Sequence, residues 1–137
     1  MKIDQASIIQ LPKMLDQRGN LSFFEGNKHI PFDIRRTYWI YDVPGGEMRG
    51  GHSYSKNEEF IVALSGSFDI VLDDGNEKKT FSLNRSYYGI YIPNGIWRHM
   101  ENFSTNSLAF IAASTDYNES DYVRDYSKYL SNIDAKS

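Results

Sequence analysis

Residues 46–66 read GEMRGGHSYSKNEEFIVALSG and give the strongest indication of the fold in this sequence. It contains two strand-like segments, 50–54 and 59–65, separated by four polar residues. Because side chains alternate between the two faces of a strand, His52 and Tyr54 share one face. Glu59 should face the same interior, followed by alternate residues of the apolar run behind it. The stretch predicts two strands that carry ionisable side chains into the protein.

The spacing of Gly46, His52, Glu59 and Gly66 resembles the first signature motif of the cupin barrel. That motif has a second histidine two residues after the first, where this chain has Tyr54. A cupin that keeps its histidine and glutamate ligands binds a divalent metal. One that has lost them must work by proton transfer alone, so the departure at this position bears directly on the chemistry.

Residues 93–102, PNGIWRHMEN, resemble the second cupin motif, with Arg98 where the remaining ligand histidine belongs. A guanidinium group stays protonated and has no lone pair to give to a metal. Only His52 and Glu59 therefore remain from the ligand set, whereas catalytic metal sites need about three protein ligands. His99 is one residue out of register and should point to the other side of the strand. We expect no metal and no other cofactor.

The composition bounds the class of protein. A chain of 137 residues predicts one domain, residues 1–137, and an aromatic content of 15% suits half-buried strands. A net charge of −3 argues against general nucleic-acid binding, which needs a basic surface. The absence of cysteine excludes disulfides and thiolate chemistry and fits a reducing cytoplasm. Since no stretch approaches 18 apolar residues, we expect a cytoplasmic protein that does not insert into a membrane.

Short strand-like segments bounded by Gly, Pro, Asn or Asp recur along the chain, which is typical of an antiparallel sandwich or barrel. They cover residues 7–11, 20–25, 36–42, 50–54, 59–65, 67–73, 77–83, 87–92, 98–103 and 107–114. Helical spacing of apolar residues occurs only in the tail, at 120–133. We therefore predict an all-β fold, a single cupin domain forming a jelly-roll-like antiparallel β-barrel. A short C-terminal helix should close its end without a catalytic role.

Three segments resemble a narrower family. IPFDIRR at 30–36, IVLDDG at 70–75 and DYNESDYVRDY at 116–126 are similar to the WxcM-like cupin sugar 3,4-ketoisomerases, and the resemblance spans about 11–129. Members of that family act on dTDP-4-keto-6-deoxyglucose and move its keto group from C4 to C3 without a cofactor. The resemblance implies proton abstraction beside a carbonyl, an enediol intermediate and reprotonation one carbon along.

The resemblance also implies roles for the first-motif residues. His52 would be the base, since a histidine titrates near neutral pH. Family members carry histidine at the position of Tyr54, and a phenol is a poor base at neutral pH. Tyr54 would then either donate a hydrogen bond to the sugar or fill space. Glu59 needs a partner in the interior, either Arg98 or His52, and would orient His52 or form a structural ion pair.

The remaining candidates are expected to bind substrate. Arg36 and Arg49 resemble family positions near the ligand, and arginine grips phosphate oxygens in a bidentate manner. Tyr38 shares a face with Arg36 and would stack on the base or bond a sugar hydroxyl. Arg18 resembles enzymes that give the galacto product, whereas Arg98 resembles those that give the gluco product. The configuration at C4 therefore stays open, with a slight preference for the 3-keto-6-deoxyglucose product.

Two alternatives remain at this point. One is a dTDP-sugar 3,5-epimerase, a metal-free barrel that pairs a histidine base with a tyrosine acid; the other is a non-catalytic module that binds sugar nucleotides. The expected partners are a dTDP-linked deoxyhexose and a second copy of the chain, with neither nucleic acid nor membrane involved. By resemblance, the homodimer would exchange N-terminal strands from residues 1–15, and the product would serve surface-glycan biosynthesis.

Overall fold

Twelve strands and one α-helix make up the fold in this computed structural model, which describes residues 2–136, with side chains for 2–134. In chain order they are β1 Ser7–Gln10, β2 Lys13–Met14, β3 Leu21–Ser22, β4 Arg36–Tyr41, β5 Arg49–Tyr54, β6 Glu59–Ser65, β7 Phe68–Asp73, β8 Lys78–Leu83, β9 Tyr88–Ile92, β10 Trp97–Glu101, β11 Leu108–Ala113, β12 Tyr122–Val123 and α1 Tyr126–Lys136. The predicted all-β architecture with a short C-terminal helix is confirmed.

Two five-stranded sheets form the barrel. The first has the order β1-β9-β6-β11-β4, the second has the order β12-β5-β10-β7-β8, and β2 pairs with β3 in a separate ribbon. All pairings between these strands are antiparallel. From β4 onward the chain crosses to the other sheet after every strand except β7, which is typical of a jelly roll, in which consecutive strands alternate between two layers.

Nine of the ten predicted strands lie within two residues of their observed bounds. The exception is 20–25, where only Leu21–Ser22 is a strand. Phe24 packs against Phe60 on the outer side of the first sheet, with ring centroids 5.1 Å apart. The chain then turns, so Phe24, which lies in the predicted strand, instead covers the outer face of the first sheet. The structure adds two short strands, β2 and β12, that were not predicted.

The C-terminal helix begins at Tyr126, so the prediction of a helix from residue 120 was wrong at that end. Residues 122–123 instead extend the second sheet as β12. Asp125 accepts hydrogen bonds from the backbone N–H groups of Ser127 and Lys128, which caps the new helix start. No helix within residues 2–136 is long and apolar enough to cross a membrane.

The core explains why β6 reads as a nearly continuous apolar run. Its Ile61 points between the sheets, where it packs with residues such as Ile90 and Leu72. Its Phe60 and Val62 point outward into a second apolar cluster with Leu11, Ile30, Phe32 and Ala112. Both faces of the strand are therefore buried, and no polar alternation is needed. At one end of the barrel the inward side chains become polar, and there the core opens into a cavity.

We expect Gly66→Ala to destabilise the fold. Gly66 has φ +66°, and an added Cβ would lie 2.5 Å from Ser104 Oγ and 2.7 Å from Ser107 Cα. Left-handed backbone together with overpacking should lower the free energy of unfolding by about 1–3 kcal/mol, measured by urea denaturation. Gly45→Ala is the matched control, because a Cβ there meets no atom within 4 Å. Equal effects at the two glycines would contradict this reading of the turn.

Candidate active site

A cavity of about 430 Å³ opens between the two sheets at the polar end of the barrel. Strands β4, β5, β6 and β10 contribute its walls, and the chain around β12 closes one side. Its charged and aromatic lining consists of Tyr38, Arg49, His52, Tyr54, Glu59, Arg98, Tyr122 and Arg124. Six of these eight residues were predicted from the sequence.

The strand register brings the two signature motifs together. His52 of β5 pairs directly with Arg98 of β10, so their side chains emerge on the same face of the second sheet. The register shifts between Arg98 and His99, which marks a β-bulge at this point. His99 lies on the opposite face, where it approaches Glu101, as the sequence predicted. A bulge beside a cavity is a common way to aim a side chain at a ligand.

The imidazole of His52 is an uncharged base at neutral pH. Burial lowers its pKa to about 3, and the nearby cations Arg98 and Arg124 act in the same direction, opposed by Glu119. Its Nε2 atom is buried and has no hydrogen-bond partner among residues 2–134. Since a neutral imidazole nitrogen can carry a lone pair, this atom is free to accept a proton from a ligand in the cavity.

A buried network links Glu59, Arg98 and Tyr38. Glu59 Oε1 accepts a hydrogen bond from Arg98 Nη1 at 2.9 Å, and the hydroxyl of Tyr38 donates to Glu59 Oε2. Arg98 Nη2 also donates to the carbonyl oxygen of Ile96 at 3.0 Å. Both charged side chains are almost fully buried, at 3% and 1% exposure. Arg98 and His52 were the two partners considered for Glu59, and in the structure the partner is Arg98. Glu59 forms no hydrogen bond with His52, so the prediction that this carboxylate orients the base was wrong.

These residues do not fit the metal that other cupins hold. The carboxylate of Glu59 is occupied by the Arg98 guanidinium, which cannot ligate a metal and would repel a dication. Tyr54 stands where the second histidine ligand would be. The part of the chain with described side chains contains no group of three or more His, Cys, Asp or Glu residues arranged to hold an ion. The donor set suits proton transfer instead.

Tyr54 is a hydrogen-bond donor rather than a base. Its side chain is buried, and burial raises its pKa far above the ordinary value for tyrosine, with a further increase from the charge of Glu59. The ring lies under the guanidinium of Arg98, whose carbon is 5.1 Å from the ring centroid. A hydrogen-bonding interaction with Tyr122 also raises its pKa, whereas one with Tyr38 lowers it. Tyr54 therefore stays protonated beside His52.

The predicted arginines separate into two groups. Arg49 and Arg98 line the cavity, whereas Arg18 and Arg36 do not. Arg18 lies on an exposed turn, where its guanidinium pairs with Asp16 at 2.8 Å. The guanidinium of Arg36 is close to Tyr38, at 5.4 Å from the ring centroid, but it is directed toward the tail of the chain. Sharing a strand face with a cavity residue did not bring it into the lining.

Sequence reasoning missed Tyr122 and Arg124, both of which line the cavity. The helical spacing of the tyrosines in the tail favoured a helix. Tyr122 and Arg124 are also two positions apart, which is the spacing expected for one face of a strand. The expectation that the whole tail only packs against the end of the barrel was wrong for this part of it.

Comparison with known proteins places this geometry in a family. Residues 4–134 match the family model described as "FdtA: WxcM-like, C-terminal". The chain belongs to this family. The resemblance stated from the sequence is therefore confirmed across nearly the whole domain.

Relatives of this FdtA-family chain are named as 3,4-ketoisomerases. The TDP-4-oxo-6-deoxy-alpha-D-glucose-3,4-oxoisomerase of Aneurinibacillus thermoaerophilus is 39% identical over 129 residues, which cover 92% of this chain and 93% of the relative. A crystal structure of a 3,4-ketoisomerase from Helicobacter canadensis superposes with a TM-score of 0.92 at 38% identity, covering 95% of this chain and 98% of the other.

A third relative carries a ligand. It is a histidine-to-asparagine mutant of the 3,4-ketoisomerase QdtA from Thermoanaerobacterium thermosaccharolyticum in complex with TDP-4-keto-6-deoxyglucose. It superposes with a TM-score of 0.93 at 34% identity, covering 96% of this FdtA-family chain and 95% of the other. The three named activities agree with the predicted isomerase and favour it over the 3,5-epimerase alternative.

A double-mutant cycle on Glu59 and Arg98 should reveal strong coupling. Arg98→Met leaves a buried carboxylate and Glu59→Leu leaves a buried guanidinium, so each should cost about 3–5 kcal/mol of unfolding free energy. The double variant should lose clearly less than the sum, as measured by urea denaturation. The exposed Arg18–Asp16 pair is the control, and its removal should leave the free energy of unfolding nearly unchanged. Additive losses at Glu59 and Arg98 would contradict the buried network.

Proposed function

We propose that this chain is a cofactor-free 3,4-ketoisomerase that converts dTDP-4-keto-6-deoxyglucose into its 3-keto isomer. The observation that carries the proposal is the neutral, buried imidazole of His52, whose Nε2 is unpartnered within the described part of the chain and lies beside a cavity. The names of its relatives support the same reaction.

The proposed reaction moves one carbon-bound proton. His52 Nε2 removes the proton from C3, and the electron pair of that bond forms the C3–C4 double bond while the C4 carbonyl oxygen takes up a proton. The resulting enediol then loses the proton of its C3 hydroxyl, C4 receives the proton carried by His52, and the carbonyl forms at C3. Protons enter and leave in equal number, so no oxidant or reductant is needed. The hydroxyl of Tyr54, which lies at the cavity, is a suitable donor to the sugar oxygens, whereas the hydroxyl of Tyr38 already donates to Glu59 and can accept a hydrogen bond from a sugar hydroxyl.

The charges around the cavity support this reaction. A base with a low pKa accepts a proton only if its protonated form is stabilised. The negative charge that develops on the enediolate stabilises the neighbouring imidazolium, because opposite charges attract strongly where water is excluded. Arg98, buried in the cavity wall, supplies a fixed positive charge that stabilises the C4 oxygen, on which the negative charge of the enediolate develops. Glu59 balances that charge in the resting protein. The site therefore favours the charge distribution of the transition state without a metal.

The diphosphate of the nucleotide needs cations near the sugar site. Arg49 is exposed and lines the cavity, and it precedes the base by three residues on the same strand, so we assign it to the diphosphate. Arg36 remains a predicted contact, since it lies next to Tyr38 at the edge of the site. Arg18 would need a partner subunit or a movement of its turn to reach the ligand.

For the product we propose dTDP-3-keto-6-deoxyglucose. The feature associated with this outcome, Arg98, is buried deep in the barrel, whereas Arg18, associated with the galacto product, is exposed on a turn. NMR of the product, trapped by a 3-aminotransferase, would report the C4 configuration. The cysteine-free composition fits a cytoplasmic enzyme, and the 3-keto sugar would be a precursor of amino sugars in surface glycans.

We expect His52→Asn to abolish the conversion of dTDP-4-keto-6-deoxyglucose, followed by NMR in deuterium oxide. The wild type should exchange the C3 proton, and the variant should not, because asparagine is no base. His99→Asn is the matched control, since this histidine lies on the other face of its strand. Undiminished turnover in His52→Asn would show that His52 is not the base. Exchange at C5 would favour an epimerase, and wild-type binding of dTDP without turnover would favour a binding module.

We also propose a homodimer. The outer face of the first sheet exposes large apolar side chains on its edge strand, Trp39 at 56% and Tyr41 at 62%, with Leu64 close by in the same sheet. Exposed apolar side chains concentrated on one face commonly mark a protein interface. In this structure β1 pairs with β9 of its own chain, and an exchanged strand would make the same pairing with the partner. Exchange of residues 1–15 stays a prediction.

Light scattering should give twice the mass of the chain for the wild type. The double variant Trp39→Glu/Tyr41→Glu should be monomeric, because two charges would have to be buried in the proposed interface. Tyr117→Glu is the control, as this tyrosine is equally exposed but lies on the tail segment. A monomeric wild type, or a double variant that remains dimeric, would overturn the proposed interface.

A further inference from the structure

The segment 117–124, which we name the C-terminal strap, is fixed to the strand that carries the base. Its β12 pairs with β5 so that Tyr122 lies opposite Tyr54. The side chain of Asp121 accepts hydrogen bonds from the backbone N–H groups of Lys56 and Asn57, at 2.8 and 3.1 Å. Its carbonyl oxygen accepts a further bond from the N–H of Ser55 at 2.9 Å. The strap therefore has a defined register at the cavity wall.

The strap places an aromatic ring against the catalytic base. The ring centroid of Tyr122 is 5.3 Å from that of His52 and 4.6 Å from that of Tyr54. The rings of His52 and Tyr54 meet edge to face at 4.9 Å. Because Nε2 of the imidazole has no hydrogen-bond partner among the described side chains, no bond at that atom fixes the ring. The ring contacts of the imidazole are those with the two tyrosines, at 4.9 Å and 5.3 Å between centroids.

The outer side of the Tyr122 ring is also covered. The guanidinium carbon of Arg124 lies 4.2 Å from the ring centroid, which is a close cation–π contact. Arg124 is itself held by two hydrogen bonds to the carboxylate of Glu119, at 2.7 and 3.1 Å. Glu119 accepts a third bond from the hydroxyl of Tyr117 at 2.7 Å. Tyr122 is thus clamped between this ion pair and the base.

We propose that Tyr122 is a positioning residue of the isomerase, whose ring fixes the plane of the His52 imidazole and shields it from water. The proposal rests on the function proposed above, in which His52 is the base. Tyr122 acts through His52 and not through the substrate. Small displacements of a catalytic group are costly, and a misplacement of about 1 Å can reduce a rate about a hundredfold. The strap thereby gives the tail of the chain a part in the reaction.

Loss of the ring should also change the charge state of the base. Burial is the largest cause of the low pKa of His52, and the Tyr122 ring forms part of that cover. Arg124, which loses its aromatic contact when the ring is removed, also lowers this pKa, while Glu119 raises it. The titratable or charged groups facing the imidazole from the surrounding elements are Tyr38, Arg49, Tyr54, Glu59, Arg98, Glu119, Tyr122 and Arg124.

The test compares Tyr122→Ala with Tyr122→Phe. Tyr122→Ala should lower kcat about tenfold to a hundredfold with KM nearly unchanged, because the base is misplaced while the substrate contacts remain. Tyr122→Phe keeps the ring and should stay close to wild-type kcat. Should the alanine variant not fold, Tyr122→Leu serves in its place, because leucine fills apolar volume without offering a flat ring. Tyr126→Ala is the control, because this partly exposed ring contacts Trp97 and Tyr129 and not the strap, and it should leave the pKa of His52 unchanged.

A histidine titration by NMR on the ligand-free protein gives a second readout that needs no turnover. The His52 resonance, assigned by its loss in His52→Asn, should stay in the neutral form on acidification of the wild type, consistent with a pKa of about 3. In Tyr122→Ala its pKa should rise toward the ordinary value of 6.5, and an acid limb should appear in the pH profile of kcat.

Four outcomes would overturn the proposal. They are an unchanged His52 titration in Tyr122→Ala, an unchanged kcat, a raised KM at constant kcat, and an equal loss in Tyr122→Phe. The third would make Tyr122 a substrate contact, and the fourth would assign the effect to its hydroxyl. A wild type without turnover would defeat the proposed function alone, since the NMR titration would still decide whether the ring shields His52.

Discussion

The buried ion pair between Glu59 and Arg98 is the constraint on which the site depends. It joins the two sheets, since Glu59 belongs to β6 and Arg98 to β10, and Tyr38 adds a hydrogen bond from β4. Placing two charges in a protein interior carries a large desolvation penalty, which only close geometry and further hydrogen bonds offset. A well-packed apolar pair could have stabilised the barrel at least as well. The ion pair is therefore better explained by what it does to the cavity above it.

Its effect is to separate the proton affinities of two neighbouring side chains. The cation lowers the pKa of His52, which burial has already reduced, and the anion raises the pKa of Tyr54, which burial has already increased. One group is left as a neutral base and the other as a protonated donor, side by side on one strand. A cavity that divides its titratable groups in this way is suited to moving protons between carbon and oxygen. A free carboxylate, available to a metal, would have given different chemistry.

How much of this could be read from the sequence depended on the range of the interactions involved. Strand positions followed from local patterns, and six cavity residues followed from motif spacing combined with the alternation of a strand. The strap was missed because its extended form depends on Asp121 bonding a turn about 65 residues away, at Lys56 and Asn57, which no local pattern encodes. For Arg36, strand alternation predicted the correct face of β4 but not the direction of the side chain. Its guanidinium turns toward Tyr117 in the tail.

The tyrosine that replaces the second motif histidine follows from the same constraint. The Tyr54 ring lies under the Arg98 guanidinium, with 5.1 Å between the guanidinium carbon and the ring centroid, and an imidazole in its place would be held neutral by that positive charge. A phenol in that position offers a face to the cation, an edge to His52 and a hydroxyl that remains protonated. Tyr54 thus adds a protonated donor beside His52, and the Tyr122 ring, 4.6 Å from that of Tyr54, completes the aromatic cluster around the imidazole.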